Sequence, residues 1–387
     1  MTQIDLLGLN IFNWNLIDGW LDMARKRRKK VQSRRREETI KALTDLGNRI
    51  YNMMRNGEFP YLKLPSRSVR NIIYSEEERG YVLGPKTKVR TAANFMHLKK
   101  FAQFVWIAYF TKELLVNKKT STLRDVYYSS QAYGVDFEEQ SESDELIMDL
   151  ESLIGRPRED MNIFPAERAA IFGDLTIEYT VPGYEGKRIN LTTHPDGLMI
   201  GHSLRTSEFI ETSAERVFVI EKDAIFNRFI EERIYQKYKA ILISTSGQAP
   251  RAARYLIRRL NQELGLPVYI FTDGDVWGLH IAGVIIYGSA NSAHVRDLHT
   301  PDAKWIGVWA SDIEKYKLPT DPFTEVDLKR LQELMKDPRY KGDLWQRELE
   351  KFRKLKKKSE LEAFSRYGLT YIVDTYLKNK MEEINSL

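Results

Sequence analysis

The chain has 387 residues, 42% of them hydrophobic, enough for two to three domains with sizeable cores. Lys and Arg number 60 against 54 Asp and Glu, and a surplus of +6 in a chain 29% charged does not by itself announce a partner. Cysteine is absent, which excludes disulfides, zinc fingers, iron–sulfur sites and a thiol nucleophile, favours an intracellular setting, and leaves any catalytic metal to oxygen or histidine ligands.

Residues 1–70 read as a helical arm. Leu6, Leu7, Leu9, Ile11, Trp14, Leu16, Trp20 and Leu21 form an aromatic-rich start. This apolar stretch precedes the basic run and is interrupted by Asp5, Asp18 and Asp22, the reverse of a secretory signal. From Arg25 to Arg36 nine of twelve residues are basic, and Ile40, Leu43, Leu46, Ile50, Met53 and Met54 then recur at helical spacing until the Pro60 to Pro65 stretch. The first 24 residues either pack on the core or dock onto another protein. Residues 71–160 read as a mostly helical unit. Arg90 to Lys100 and Phe101 to Leu115 are expected as two helices with Phe95, Leu98, Phe101, Val105, Ala108 and Leu114 in the core, and LRDVYYSSQAYG as a third. Helices separated by a short turn fit a helix-turn-helix or winged-helix outline. The best apolar run beyond the N-terminal stretch, Phe101 to Phe110, is about half of what a membrane span needs, so a soluble protein is expected. An acidic stretch from Asp136 to Asp160 closes this unit, and Gly155-Arg-Pro157 reads as a linker.

Residues 168–205 alternate in strand fashion around PGYEG and HPDG turns, a small antiparallel section. Residues 215–310 then alternate strand and helix. RVFVIE, AILISTSG and VYIFTDGD are strands, with GVIIYG and WIGVWA further candidates. DAIFNRFIEERIYQKY is a helix capped by Asp223, and a second helix runs from Pro250 to Gly265. Repeated strand–helix units with nearly continuous apolar strands imply a parallel sheet covered by helices. The tail, 321–387, reads as helical and charged, with a second basic run from Lys351 to Lys358.

Ligands of open α/β sheets gather at the carboxyl ends of strands. Glu221 ends one strand here, and Asp273 and Asp275 end another, flanking Gly274. Hard carboxylates on neighbouring strand ends suit Mg²⁺; turn acids with Asp275 as a helix cap are the plainer reading. The helix between them carries Arg251, Arg254 and Arg258 on one side, a pattern that suits phosphate, with Ala253, Leu256, Ile257, Leu260 and Leu264 toward the sheet. There is no GxxxxGK or GxGxxG loop, and none of the six histidines pair at i, i+4. In LRDVYYSS, Tyr127 and Tyr128 point about 100° apart on a helix, so one can pack while the other is presented. Arg124 lies one turn before Tyr128 on the same face. Two aromatics filling a small core is the alternative.

Taken together these segments resemble one family: the A subunits of topoisomerase VI and the related meiotic double-strand-break protein Spo11. LRDVYYSS is similar to the family's active-site tyrosine motif, and VFVIEKDAIFNRF, STSGQAPR and VYIFTDGDVWGLHIAGVIIYGS to its Toprim segments, in the same order, from about Pro65 into the 300s. The resemblance implies an α/β multidomain protein: an N-terminal helical arm (1–70), a winged-helix (catabolite-activator-like, CAP-like) domain (71–160), and a Rossmann-like Toprim domain with a small β insertion and C-terminal helices (161–387). It makes Tyr128 the nucleophile, Arg124 its assistant, and Glu221, Asp273 and Asp275 the Mg²⁺ ligands, with Gly278 retained after the acids. It implies attack on a backbone phosphate that leaves a 5′-phosphotyrosyl link and a 3′ hydroxyl. Two copies dimerise around DNA, the tyrosine of one working with the metal site of the other. Duplex passage requires a GHKL-type ATPase B subunit in an A2B2 assembly, for which the Trp-rich start of the arm is the expected docking surface. The absence of cysteine and the Lys/Glu/Arg-rich composition lean toward an archaeal, cytoplasmic, nucleoid-associated topoisomerase subunit rather than a break-forming protein that does not reseal. A non-catalytic winged-helix DNA-binding protein would leave the three acids unexplained.

Overall fold

The computed structural model describes residues 14–385 apart from residue 167, with side chains from residue 34 to residue 384. One helix, α1 (Trp14–Arg55), runs unbroken through the basic stretch. Its last turns bury Leu43, Leu46 and Ile50, the expected three-and-four spacing, whereas Met54 is exposed. The Pro60 to Pro65 segment continues as β1 (Tyr61–Pro65), which turns Leu62 and Leu64 inward. A hairpin of β2 (Ile72–Ser75) and β3 (Gly80–Leu83) follows, and β4 (Thr87–Thr91) then pairs antiparallel with β1. The two helices expected from Arg90 to Leu115 are instead strand β4 and one helix, α2 (Phe95–Val116). Asn94 stops the strand and caps the helix, accepting a hydrogen bond from the Met96 N–H at 2.9 Å. The core begins at Phe101, so Phe95 and Leu98, expected inside, are exposed, at 88% and 44%.

After β5 (Ser121–Thr122) come α3 (Leu123–Ala132) and α4 (Gln140–Ile154), and β6 (Ile163–Phe164) pairs back to β5. Gly155, at φ +65°, is the left-handed cap that ends α4. The acidic stretch is not merely solvated. Asp149, buried in α4, gathers Arg67, Lys88 and Arg90 at 3.1, 3.0 and 2.6 Å. The arm from Leu43 onward shares one core with the helices up to Ile163, and a second core runs from Ala169 to Ile384.

The second unit opens with β7 (Ala170–Phe172), β8 (Leu175–Glu178), β9 (Arg188–Asn190), β10 (Leu198–Met199), α5 (His202–Thr206) and β11 (Glu208–Thr212). Strand β12 (Arg216–Ile220) is followed by α6 (Asp223–Glu231), α7 (Ile234–Lys237), β13 (Ala240–Ser244), α8 (Arg251–Leu264), β14 (Val268–Phe271), α9 (Val276–Tyr287) and β15 (Lys304–Gly307). The main sheet has the order β10-β7-β13-β12-β14-β15, parallel from β13 to β15, with antiparallel β7 and β10 at one edge. Strands β8, β9 and β11 form the small separate sheet.

Two expectations change here. GVIIYG is the second half of α9, not a strand. This helix is buried nearly all round, so its sequence lacks the polar face that would reveal a helical period. The helix expected from Asp223 to Tyr238 breaks at Arg233, which sits at φ +53° between α6 and α7. Asp223 is its first residue rather than its cap, and its carboxylate accepts the Ser244 and Ser246 hydroxyls. The tail adds α10 (Ala310–Lys315), β16 (Asp321–Pro322), α11 (Glu325–Lys336), α12 (Asp343–Leu355), β17 (Lys357–Lys358) and α13 (Lys378–Asn385). Strands β16 and β17 pair, and the residues just after β17 return to the carboxyl end of the main sheet. Among the described residues no helix is long and apolar enough to cross a membrane.

Candidate active site

Strands β12 and β14 are parallel neighbours in register, Ile220 beside Phe271, so Glu221 and Asp273 leave the sheet at the same end. Glu221 Oε2 accepts the Asp273 N–H at 2.9 Å. Both acids are buried. Burial, then the charge of Asp273, pushes the Glu221 carboxyl up to about 8. Burial lifts Asp273 to about 6 although the Leu361 N–H and Lys222 pull the other way. Asp275 caps α9, accepting the Gly278 N–H at 2.6 Å, and burial raises its pKa as well. Asp275 is thus a helix cap, and its charge also acts on Glu221 to raise that carboxyl. Gly278 is required by the turn: a Cβ there would stand 2.2 Å from the Asp273 carbonyl oxygen.

Sequence reasoning missed two partners of this turn. Lys222 places its ammonium 3.1 Å from Asp273 Oδ2, 3.5 Å from Glu360 and 4.0 Å from Glu362. The segment after β17 straps the turn from the other side: Gly274 and Ser359 exchange backbone hydrogen bonds of 2.8 and 3.0 Å, and the Leu361 N–H donates to Asp273 Oδ1 at 2.9 Å. Asp273 and Leu361 are 88 positions apart, so no local spacing could signal this contact.

Among the described residues no three acidic or histidine side chains close into a metal-ligand set. The charge balance nonetheless fits a divalent cation. Buried carboxylates that repel one another need a counter-charge, hard oxygen donors are what Mg²⁺-type ions take, and a lysine ammonium now stands against Asp273.

The tyrosine helix resolves as one packed ring and one presented ring. Thr122 caps α3 by accepting the Asp125 N–H at 3.0 Å. Val126 is buried, Tyr127 packs half-buried against the first core, and Tyr128 is 50% exposed. Their rings meet edge to face at 5.3 Å. Arg124, one turn earlier, reaches Tyr128 Oη at 3.4 Å and lies 5.6 Å from its ring centre. An exposed phenol with a guanidinium at its oxygen can attack a phosphate whose charge the same guanidinium meets.

The arginines of α8 are placed differently from the expected phosphate-facing row. Arg251 is buried and pairs with Glu151 of α4 at 2.7 Å. Arg254 is buried with one long bond, 3.4 Å, to Ser292. Burial and the charge of Arg251 push its pKa down to about 9. Arg258 donates to the His299 carbonyl at 2.6 Å and faces Asp297. In this conformation Arg251 joins the two units, while Arg254 and Arg258 bond within the second one. The apolar side of α8 is as expected, with Ala253, Leu256, Ile257 and Leu260 buried. The expected docking surface at the start of the arm falls on residues 1–13, outside the described residues, and on α1 residues whose side chains are likewise outside them.

Two family models match. One, described as the Toprim domain of the topoisomerase 6 A-subunit/Spo11 family, covers residues 216–381, and one described as "Type IIB DNA topoisomerase" covers residues 99–163. The chain is 44% identical over 354 residues to the type 2 DNA topoisomerase 6 A-subunit of Methanothermobacter thermautotrophicus, covering 91% of this chain and 99% of that one. The corresponding proteins of Archaeoglobus fulgidus and Methanosarcina barkeri are 37% and 34% identical, covering 89% and 93% of this chain and 97% and 100% of theirs.

Proposed function

Because the chain belongs to the family of type 2 DNA topoisomerase 6 A subunits, we propose that Tyr128 is its nucleophile and that Glu221, Asp273 and Asp275 are its metal-binding acids. The protein is the DNA-cleaving and rejoining subunit of a type IIB topoisomerase. The observation that carries the residue assignment is the pairing of one exposed, arginine-contacted phenol with a buried acid cluster on adjacent strand ends.

In this reading the Tyr128 oxygen attacks a DNA backbone phosphorus. The bond from phosphorus to the 3′ oxygen breaks, leaving a 5′-phosphotyrosyl link and a 3′ hydroxyl. The phenolic proton leaves as the oxygen attacks, and the departing 3′ oxygen takes one up. Arg124 steers the phenol and meets the phosphate charge. Mg²⁺ at the acids would neutralise the phosphate and the leaving oxygen. The phosphodiester energy stays in the covalent link, so reversal reseals the strand without ATP. Two copies act together on the two strands, and ATP-driven passage of a second duplex falls to a GHKL-type B subunit in an A2B2 assembly. The β1/β4 pair with α2, α3 and α4 is read as a winged-helix unit, so that the end of the arm (1–70) packs with the tyrosine domain (71–160), ahead of a Toprim domain (161–387). The Trp-rich start of the arm is the proposed B-docking surface. A chain lacking residues 1–24 is expected to keep its homodimer and lose co-purification with B, and full co-purification would refute that surface.

The functional test mixes the chain with its B subunit, Mg²⁺, ATP and supercoiled plasmid. Relaxation that requires ATP is expected. Double-strand breaks that accumulate without any relaxation would favour the break-forming alternative, and binding without either would favour a DNA-binding protein.

A further inference from the structure

Both oxygens of Asp273 are occupied by partners. Oδ1 accepts the Leu361 N–H at 2.9 Å, a backbone donor fixed by the two Gly274–Ser359 hydrogen bonds, and Oδ2 faces Lys222 Nζ at 3.1 Å. A divalent cation that takes Oδ2, the oxygen not held by the strap, must compete with the ammonium that stands there. The strap also supplies somewhere for that ammonium to go. Glu360 Oε2 lies 3.5 Å from Lys222 Nζ, and Glu362 Oε2, 4.0 Å away, is a buried oxygen without a hydrogen-bond partner. A buried acceptor left unmatched is costly and calls for a donor, and a shift of about 1 Å would bring the ammonium to normal hydrogen-bond distance.

We propose that Lys222 is an exchangeable counter-charge of the acid cluster: it holds Asp273 in the metal-free chain and is displaced by the divalent cation onto Glu362 and Glu360 of the C-terminal strap. Lys222 is thus a positioning residue, and loading of the site is a competition between its ammonium and the metal. The strap both fixes Asp273 through the Leu361 N–H and receives the displaced charge. This inference rests on the reading of Glu221, Asp273 and Asp275 as metal-binding acids.

The test is Mn²⁺ binding to the full chain, followed by electron paramagnetic resonance and without DNA, in a double-mutant cycle. Lys222→Met should tighten Mn²⁺ binding roughly tenfold by removing the competitor, and Lys222→Arg, which keeps the charge, should stay close to the parent. The double change Glu360→Gln and Glu362→Gln should weaken binding in the parent and have little effect once Lys222 is methionine, because the displaced ammonium no longer needs an acceptor. Thermal unfolding adds a readout: Lys222→Met should lower the Tm of the metal-free chain and spare the Mn²⁺-loaded one. Unchanged or weaker Mn²⁺ binding in Lys222→Met, or the same glutamate effect in both backgrounds, would overturn the exchange. Failure of the underlying reading looks different: Mn²⁺ binding would then survive Glu221→Gln and Asp273→Asn unaltered.

Discussion

Tyr127 and Tyr128 differ by one position and have opposite environments, the outcome that 100° of helical rotation predicts for adjacent residues on a half-buried helix. The acid pair was equally legible as Asp-Gly-Asp at a strand end, and its electrostatics follow from where β12 and β14 stop. The need for Gly278 was less visible, since a glycine early in a helix pattern has several explanations. In the structure it lets the first turn of α9 close onto the Asp273 carbonyl while its N–H is held by Asp275. Gly278→Ala would force this backbone apart, and the obstacle is a carbonyl rather than a flexible side chain. A loss of about 1–3 kcal/mol is expected, with weaker metal binding, since the turn carries both acids. Chemical denaturation with and without Mg²⁺ checks this; a variant as stable as the parent would mean the turn tolerates a side chain.

At the scale of elements, α4 and α8 do work that their sequences only half declared. The arginines of α8 form an evident row, yet spacing alone could not say whether they faced phosphate or a buried carboxylate 100 residues upstream. Arg251 faces the carboxylate: Glu151, from α4, holds it at 2.7 Å and His294 at 3.0 Å, linking the two units. Burial alone would raise its pKa, but the charge of Arg251, the bond from His294 and the remaining contacts outweigh that and hold the carboxyl at about 2. The folded pKa lies below the unfolded one, so this contribution is complete above about 4.5 and fades as pH falls toward 2. Glu151→Gln should therefore be clearly less stable than the parent at pH 7, with the gap narrowing between pH 5 and pH 3. Melting curves across that range test it, and a gap independent of pH would remove the linkage. Helix α9 and the strap mark the limits of pattern reading from the other side. A helix buried all round loses its period, and a contact 88 residues away leaves no local signature.

For the whole molecule, the small surplus of +6 conceals a strong local segregation of charge. Part of the acidic stretch lies inside, as Asp149 and Glu151, where it binds arginines and a lysine. The packing separates the chain near residue 165, with the second half of the arm belonging to the tyrosine unit's core, which places the presented phenol on one unit and the acid cluster on the other. That separation suits a reaction in which two copies combine a tyrosine from one with the acids of its partner. The most direct test traps the covalent complex. The chain, its B subunit, Mg²⁺, a non-hydrolysable ATP analogue and plasmid are mixed and denatured with detergent, and the peptide on the DNA 5′ ends is identified by mass spectrometry. Linear DNA linked to Tyr128 is expected, formed by Tyr127→Phe and reduced at least about a thousandfold in Tyr128→Phe. Cleavage that persists in Tyr128→Phe, or a link to any other residue, would contradict the assignment of Tyr128.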